Sequence, residues 1–324
     1  DPAELERGLQ LAYLLLTDPV IEDAALTQWK DAEIQRIGER KSQPMQVLAE
    51  TSTAAIYPLG EARPRSLTAT QVGGISREAA QAWLRRLITE APIEVAVVGD
   101  IDRETASKLV TQYLGAMPAR PRIDAKTLAS FRNIARPQGP LQAAESVVAR
   151  TPQGAVLAGF FGADLRDLRD TRLLYVAARI LTTRMTKVLR EERQLVYNIG
   201  ASSEPAVVYP GFGFFVAAAP TDPQKAPVLA TAVQEMFAAF SKDGPTPDEL
   251  AVAKKQMGNL LEEIMKTPDF WVSRLSTLDY RGLDLDDLLD APAQYQGFTA
   301  QQVQEVFARY DRPEGRLSFV VTPR

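Results

Sequence analysis

The feature that most constrains this 324-residue chain is that it repeats itself. Asp1-Pro2 recurs as Asp222-Pro223, Lys30 as Lys254, Pro44 as Pro268 and Val97-Val98 as Val320-Val321, and a helix opening at Ser76 recurs as one opening at Thr299. The offset stays between 221 and 224 throughout. Landmarks that keep one offset to within three residues mark two copies of one structural unit.

The first copy reads as mostly helical. Glu4 to Leu16 is an amphipathic helix ended by Thr17-Asp18-Pro19, Ala25 to Arg40 is a second, and Pro44 restarts the chain in a third that reaches Tyr57. After a polar loop, Ser76 is an N-cap candidate for a helix carrying Ala79, Ala80, Trp83, Leu84 and Leu87. A strand is predicted over Ile93 to Val98, then a helix from Arg103 to Leu114. Residues 1–115 therefore form a partial domain. Residues 116–140, with Pro118, Pro121, Pro137 and Pro140 and no clean period, read as a linker. Residues 141–324 form a complete domain. There Ala143 to Ala149 and Ala155 to Phe161 are expected to pair as strands, a helix runs from Leu168 to Arg193, further helices cover about 225–241, 247–266, 269–280 and 300–310, and Leu317 to Val321 is a closing strand.

The repeat has a structural consequence. In the second copy, Leu141 to Thr221 precedes the Asp-Pro landmark and holds most of the strands, whereas the first copy begins at that landmark. The first copy thus lacks most of its sheet, and its apolar helix faces need one supplied from upstream sequence or another chain. A chain opening on Asp1 rather than Met reads as a processed or excised piece.

Composition excludes several chemistries. With 45% hydrophobic and 24% charged residues the chain is long enough for two cores. It has 37 Lys+Arg against 41 Asp+Glu and no basic stripe, so nucleic acid is not expected as a partner. The apolar run Leu9 to Leu16 is far short of the ~20 residues of a membrane span. There is no cysteine and no histidine, which removes disulfides, thiolate and imidazole metal ligands, and Ser-His or Cys-His nucleophile pairs. Asp284, Asp286, Asp287 and Asp290 lack the glycine of a calcium loop and are read as part of a capped amphipathic helix.

The densest functional signal lies between Arg179 and Pro220. A helix carrying Leu181, Met185, Val188 and Leu189 ends in LREERQ. The period then changes to two, with Leu195, Tyr197, Ile199 and Ala201 alternating with Val196, Asn198 and Gly200. A turn at Tyr209-Pro210-Gly211 leads to a second strand, Phe212 to Ala219. Arg190 falls in the last helical turn and Tyr197 in the first strand. Gly211, Phe212 and Gly213 mark a candidate edge strand to which an extended peptide could add.

LREERQLVYNIG resembles a segment of the M16 family of zinc metallopeptidases (pitrilysin, insulin-degrading enzyme, mitochondrial processing peptidase), in the last domain of its non-zinc half. LQLAYLLLTDPVIEDA, ARPRSLTATQV, VAVVGDID with YLGAMPARP, PDFWVSRL and GFTAQQVQEVF extend the resemblance over nearly the whole chain, toward the third and fourth domains of long bacterial members. It implies an α+β fold of two repeated domains, each a mostly antiparallel sheet packed on helices, the first without its N-terminal strands. It implies that Arg190 and Tyr197 hold a substrate backbone and its scissile carbonyl beside a zinc bound in the other half. The family's zinc motif, His-x-x-Glu-His, is absent, so no metal is expected in this chain, zinc is expected in the missing or partner half, and the chain alone should be inactive. The expected partners are an N-terminal zinc-binding half, upstream in the same chain or as a separate subunit, and an unfolded peptide. An inert scaffold or a peptide-binding subunit of a larger assembly is the alternative. By resemblance the compartment is the periplasm, with the cytoplasm as the alternative.

Overall fold

Eight of the nine residues of GAVLAGFFG at Gly154–Gly162 are buried, on both faces of a sheet, and the second half of the molecule is built around them. The computed structural model of the chain describes residues 4–124 and 126–324; Asp1 and Pro2 of the repeat, and Ala125 of the linker, lie outside the described residues. In chain order the helices are α1 (Leu5–Thr17), α2 (Asp23–Arg40), α3 (Pro44–Ile56), α4 (Ala69–Gly73), α5 (Arg77–Glu90), α6 (Arg103–Leu114) and α7 (Ala129–Arg132). Strands β1 (Leu141–Val147) and β2 (Gly154–Gly162) follow, then α8 (Leu168–Met185), which continues as a π-helical turn over Thr186–Glu192. After β3 (Gly200–Glu204) and β4 (Gly213–Thr221) come α9 (Ala226–Asp243), α10 (Pro247–Ile264), α11 (Pro268–Arg281), α12 (Leu285–Leu289), α13 (Ala291–Gly297), α14 (Ala300–Tyr310) and β5 (Arg316–Pro323).

The five strands lie in the order β1-β5-β2-β4-β3. The pairing of the first two strands expected from sequence does not occur: β5 inserts between them, parallel to β1 (Ala143↔Phe319) and antiparallel to β2 (Leu157↔Phe319). Burial explains the order. Leu317, Phe319 and Val321 of β5 are fully buried and need a central position, whereas Gln142, Ala144, Glu145 and Ser146 of β1 are exposed and tolerate an edge.

Each face of the sheet buries an apolar layer. On one, Val156, Ala158 and Phe160 of β2 and Phe215, Ala217 and Ala219 of β4 meet α8, α9 and α14. Phe160 stacks on Phe215 at 5.1 Å, and Phe307 of α14 stands edge-on to both, at 5.1 and 5.0 Å. Such pairs contribute about 0.5–1.5 kcal/mol each beyond area burial. On the other face, Leu48 and Ile56 of α3 pack with Phe161, Leu317, Phe319, Val321, Tyr209 and Phe212.

The chain divides into two compact units that do not follow the repeat boundaries. The first comprises residues 1–35, 68–128 and 262–285, and the second 36–67, 129–261 and 286–324. Thus α3, from the first copy, belongs with the second unit, and α11, its counterpart in the second copy, belongs with the first. The cause in the second unit is plain: Leu48 and Ile56 give α3 an apolar face that the sheet buries.

In the first unit, α4 starts on a capping box at Thr68 and Gln71, and α5 and α6 on Ser76 and Asp102 caps. The Gln81 side chain ties α5 to the turn after α1, donating to the Pro19 carbonyl at 2.8 Å and accepting from the Ile21 amide at 2.7 Å. The strand expected over Ile93–Val98 does not form: those residues have no ladder partner. A strand exists only by pairing its backbone groups, and no neighbouring strand lies among the described residues of this unit.

Candidate functional site

The end of α8 departs from α-helical geometry where the sequence reads TKVLREERQ. Over Thr186–Glu192 the helix widens to a π turn, closed by the Arg193 amide donating to the Val188 carbonyl at 2.9 Å and the Leu195 amide donating to Leu189 at 2.7 Å. Gln194 follows with φ 51°, the left-handed region that non-glycine residues seldom adopt. Thr221 and Lys225 fix the reversal that results. The Thr221 hydroxyl donates to the Leu195 carbonyl at 2.6 Å, the Lys225 ammonium donates to the Gln194 carbonyl at 2.8 Å, and Val196 bridges to Thr221.

This corner sets which side chains face out. Leu189, Val196 and Ile199 enter the core, while Arg190 and Tyr197 point to solvent. Tyr197 is 86% exposed, and the Arg190 guanidinium carbon lies 5.5 Å from its ring centroid. The structure therefore brings together the two residues singled out in the sequence. It corrects their setting: Tyr197 lies in a bend before β3, not within a strand, because β3 begins only at Gly200. The pair presents a guanidinium and a phenol side by side as hydrogen-bond donors, a combination suited to a carbonyl or a carboxylate.

The edge expected at Gly211, Phe212 and Gly213 is corrected by the topology. Gly211 sits in a turn at φ +80°, its amide donating to Asp164 Oδ1 at 2.7 Å. Phe212 is buried and stacks on Tyr57 with centroids 5.2 Å apart. Gly213 pairs with Gly162, and a Cβ there would come within 2.0 Å of the Ala163 carbonyl oxygen. Glycine does permit a close backbone approach, but the approaching backbone is the chain's own. The true edge on this side is β3, and α8 guards it: the Ala201 amide donates to the Thr182 hydroxyl at 2.9 Å, and that hydroxyl donates to the Ala201 carbonyl at 3.3 Å. Sequence reasoning missed Thr182, Gln194, Thr221 and Lys225. Nothing in the spacing of a threonine or lysine signals a contact of this range.

The residues present do not fit a catalytic metal. The chain has no histidine or cysteine, and among the described residues no group of three or more acidic side chains could hold an ion. No helix of the described residues is long and apolar enough to cross a membrane.

The fold is a mixed α+β one, and among the described residues it holds no metal-binding group. The chain belongs to the M16 peptidase family: the family model described as "Peptidase M16 inactive domain" matches residues 74–257, more than half of its length. It is 25% identical to an uncharacterized zinc protease of Mycobacterium leprae (strain TN), with 93% of this chain aligned, and it spans 66% of that relative's length. Among solved structures it superimposes on a peptidase M16 inactive domain from Pseudomonas fluorescens with a TM-score of 0.82, at 20% identity, covering 99% of this chain and 76% of that one. The periplasmic protease PqqL from Escherichia coli gives a TM-score of 0.77 at 18% identity, covering 100% of this chain and 35% of that one.

Proposed function

We propose that this chain is the non-catalytic, C-terminal-type half of an M16 zinc metalloendopeptidase, forming part of the chamber that holds an unfolded peptide. Zinc and general base belong to an N-terminal half, upstream or on a partner subunit. Arg190 and Tyr197 act on the substrate side, donating to the backbone carbonyl being cleaved and to the charge that develops on its oxygen. The observation that carries this reading is the Arg190–Tyr197 pair itself. It is solvent-facing yet fixed by a π turn, a left-handed Gln194 and two hydrogen bonds from outside the segment. A scaffold has no use for that arrangement. The periplasm is the proposed compartment, in keeping with the periplasmic neighbour of the same fold.

The test is hydrolysis of an unfolded peptide by the full-length protein. Chelation should abolish it, and Arg190→Ala and Tyr197→Phe should each lower kcat by about 10²–10³-fold, the size seen when one donor to an oxyanion is removed. Wild-type rates in both variants would remove the pair from the mechanism. A full-length protein that binds peptides but cleaves none would establish the inert scaffold or peptide-binding subunit instead.

A further inference from the structure

The pairing of β3 with β4 carries one residue too many on the β3 side. The ladder ends with Gly200 opposite Ala218, and beyond it Val196 bridges Thr221. Tyr197–Ile199 therefore span on one strand what Ala219 and Pro220 span on the other. Such an insertion is a β-bulge, and its effect on side chains follows from the two-residue period of a strand. An unbroken ladder would set Tyr197 opposite Thr221, on the side where Ile199 and Ala201 meet the core. Val196 takes that place and is buried, while Tyr197 is left in solvent. The alternation that groups Leu195, Tyr197, Ile199 and Ala201 in the sequence is thus broken at the tyrosine.

Pro220 gives the cause. The Ala201 amide and carbonyl turn away from β4 to the Thr182 hydroxyl, so Gly200 and Ala218 turn theirs toward each other. Pro220, two residues on from Ala218, faces β3 in the same way and has no amide to give, so the ladder cannot continue to Asn198. Thr221 then fixes the displaced backbone. Its side chain is buried, and its hydroxyl donates at 2.6 Å to the carbonyl of Leu195, the residue before Val196.

We infer that Pro220 and Thr221 are positioning residues for Tyr197: one ends the ladder early, the other pins the backbone ahead of Val196, and together they insert the bulge that turns the phenol out beside Arg190. Neither touches the phenol or a substrate. They act by choosing which of two neighbouring side chains, Val196 or Tyr197, enters the core and which meets solvent. The consequence for catalysis rests on the role proposed above for the Arg190–Tyr197 pair, whereas the setting of the ring does not.

The experiment is made on the full-length protein with fluorotyrosine at position 197, whose fluorine resonance reports where the ring stands, alongside peptide hydrolysis by the unlabelled protein. Thr221→Val keeps the shape and removes the hydroxyl. It should shift or broaden the resonance and lower kcat by about 10–100-fold with KM unchanged, the effect of misplacing a group that acts in the transition state. Thr221→Ser keeps the hydroxyl and should recover the resonance and most of the rate. In a Tyr197→Phe background Thr221→Val should cost little further rate, because the two residues act through one phenol. Pro220→Ala returns an amide to the ladder and should also move the resonance, which keeps the test open if Thr221→Val does not fold. An unmoved resonance in the folded variants overturns the inference. So does a moved resonance with unchanged kcat in a protein that Tyr197→Phe impairs. If the resonance moves while Tyr197→Phe hydrolyses at the wild-type rate, or the full-length protein cleaves nothing, the positioning stands and the proposed catalytic role of the pair fails.

Discussion

Thr182 and Ala201 close the sheet edge: one hydroxyl on α8 satisfies both the amide and the carbonyl that Ala201 turns away from β4, at 2.9 and 3.3 Å. An edge strand with free backbone groups is a template for pairing with another chain. Thr182→Val keeps the shape and removes both bonds. The expected cost is about 1–2 kcal/mol, with faster exchange of the Ala201 amide and concentration-dependent self-association in sedimentation. A monomeric variant with an unchanged Ala201 exchange rate would show that the hydroxyl does not guard the edge.

Arg184 and Glu249 link α8 to the start of α10 through two contacts at 2.5 and 2.6 Å, and Arg184 also donates to the Gly244 carbonyl at 2.9 Å. The Arg184 guanidinium, with help from Thr246, lowers the Glu249 carboxyl to about 2, against 4.5 for an unperturbed glutamate. A carboxylate depressed in the folded state stabilises the fold above its unfolded pKa and loses that contribution as pH falls toward the folded one. The stability gap between wild type and Glu249→Gln should therefore be full above pH 4.5, with an upper bound of about 3 kcal/mol, and should narrow steadily down to pH 2. Denaturant titrations across that range measure it; a constant gap would rule out the linkage.

Arg190 and Tyr197 should be nearly silent in stability. An exposed cation–π pair contributes about 0.5–1 kcal/mol, and neither side chain fills core volume. Arg190→Ala and Tyr197→Phe should shift the unfolding free energy by no more than about 1 kcal/mol. That separation lets a loss of hydrolysis in the full-length protein be read as chemistry, not misfolding.

Gln194 holds a left-handed conformation at a cost of about 1 kcal/mol that glycine would not incur. Gln194→Gly should leave stability equal or raise it by up to that amount, while loosening the corner between Arg190 and Tyr197. Thermal unfolding tests the first effect and the tyrosine's side-chain order in NMR relaxation tests the second. A loss of more than about 1 kcal/mol would mean that the Gln194 side chain holds the corner, not its backbone.

Much of the fold was legible because helices carry their signals locally. Pro44 and Pro268 at first helical positions, and the side-chain caps at Ser76 and Thr299, are written within a few residues of the turns they start, whereas the capping box at Thr68 that starts α4 lies in what the sequence reads as a polar loop. The repeat, the absence of metal ligands and the choice of Arg190 and Tyr197 likewise needed no coordinates. Pairing did not follow, because a strand's neighbour is chosen by burial across the whole sheet. β5 displaced the near-neighbour pairing of β1 and β2 since its residues needed both faces covered. Tertiary structure alone also turned Gly213 from an expected open edge into a crowded interior position, exchanged α3 and α11 between units, set Thr182 on the β3 edge, and placed Thr221 and Lys225 on the backbone between the exposed pair. From the sequence by itself came the long helices, the lack of histidine and cysteine and the choice of two side chains to test, since those depend on composition and short spacing. What encloses them was decided only in three dimensions, where backbone groups distant in sequence compete for the same partners.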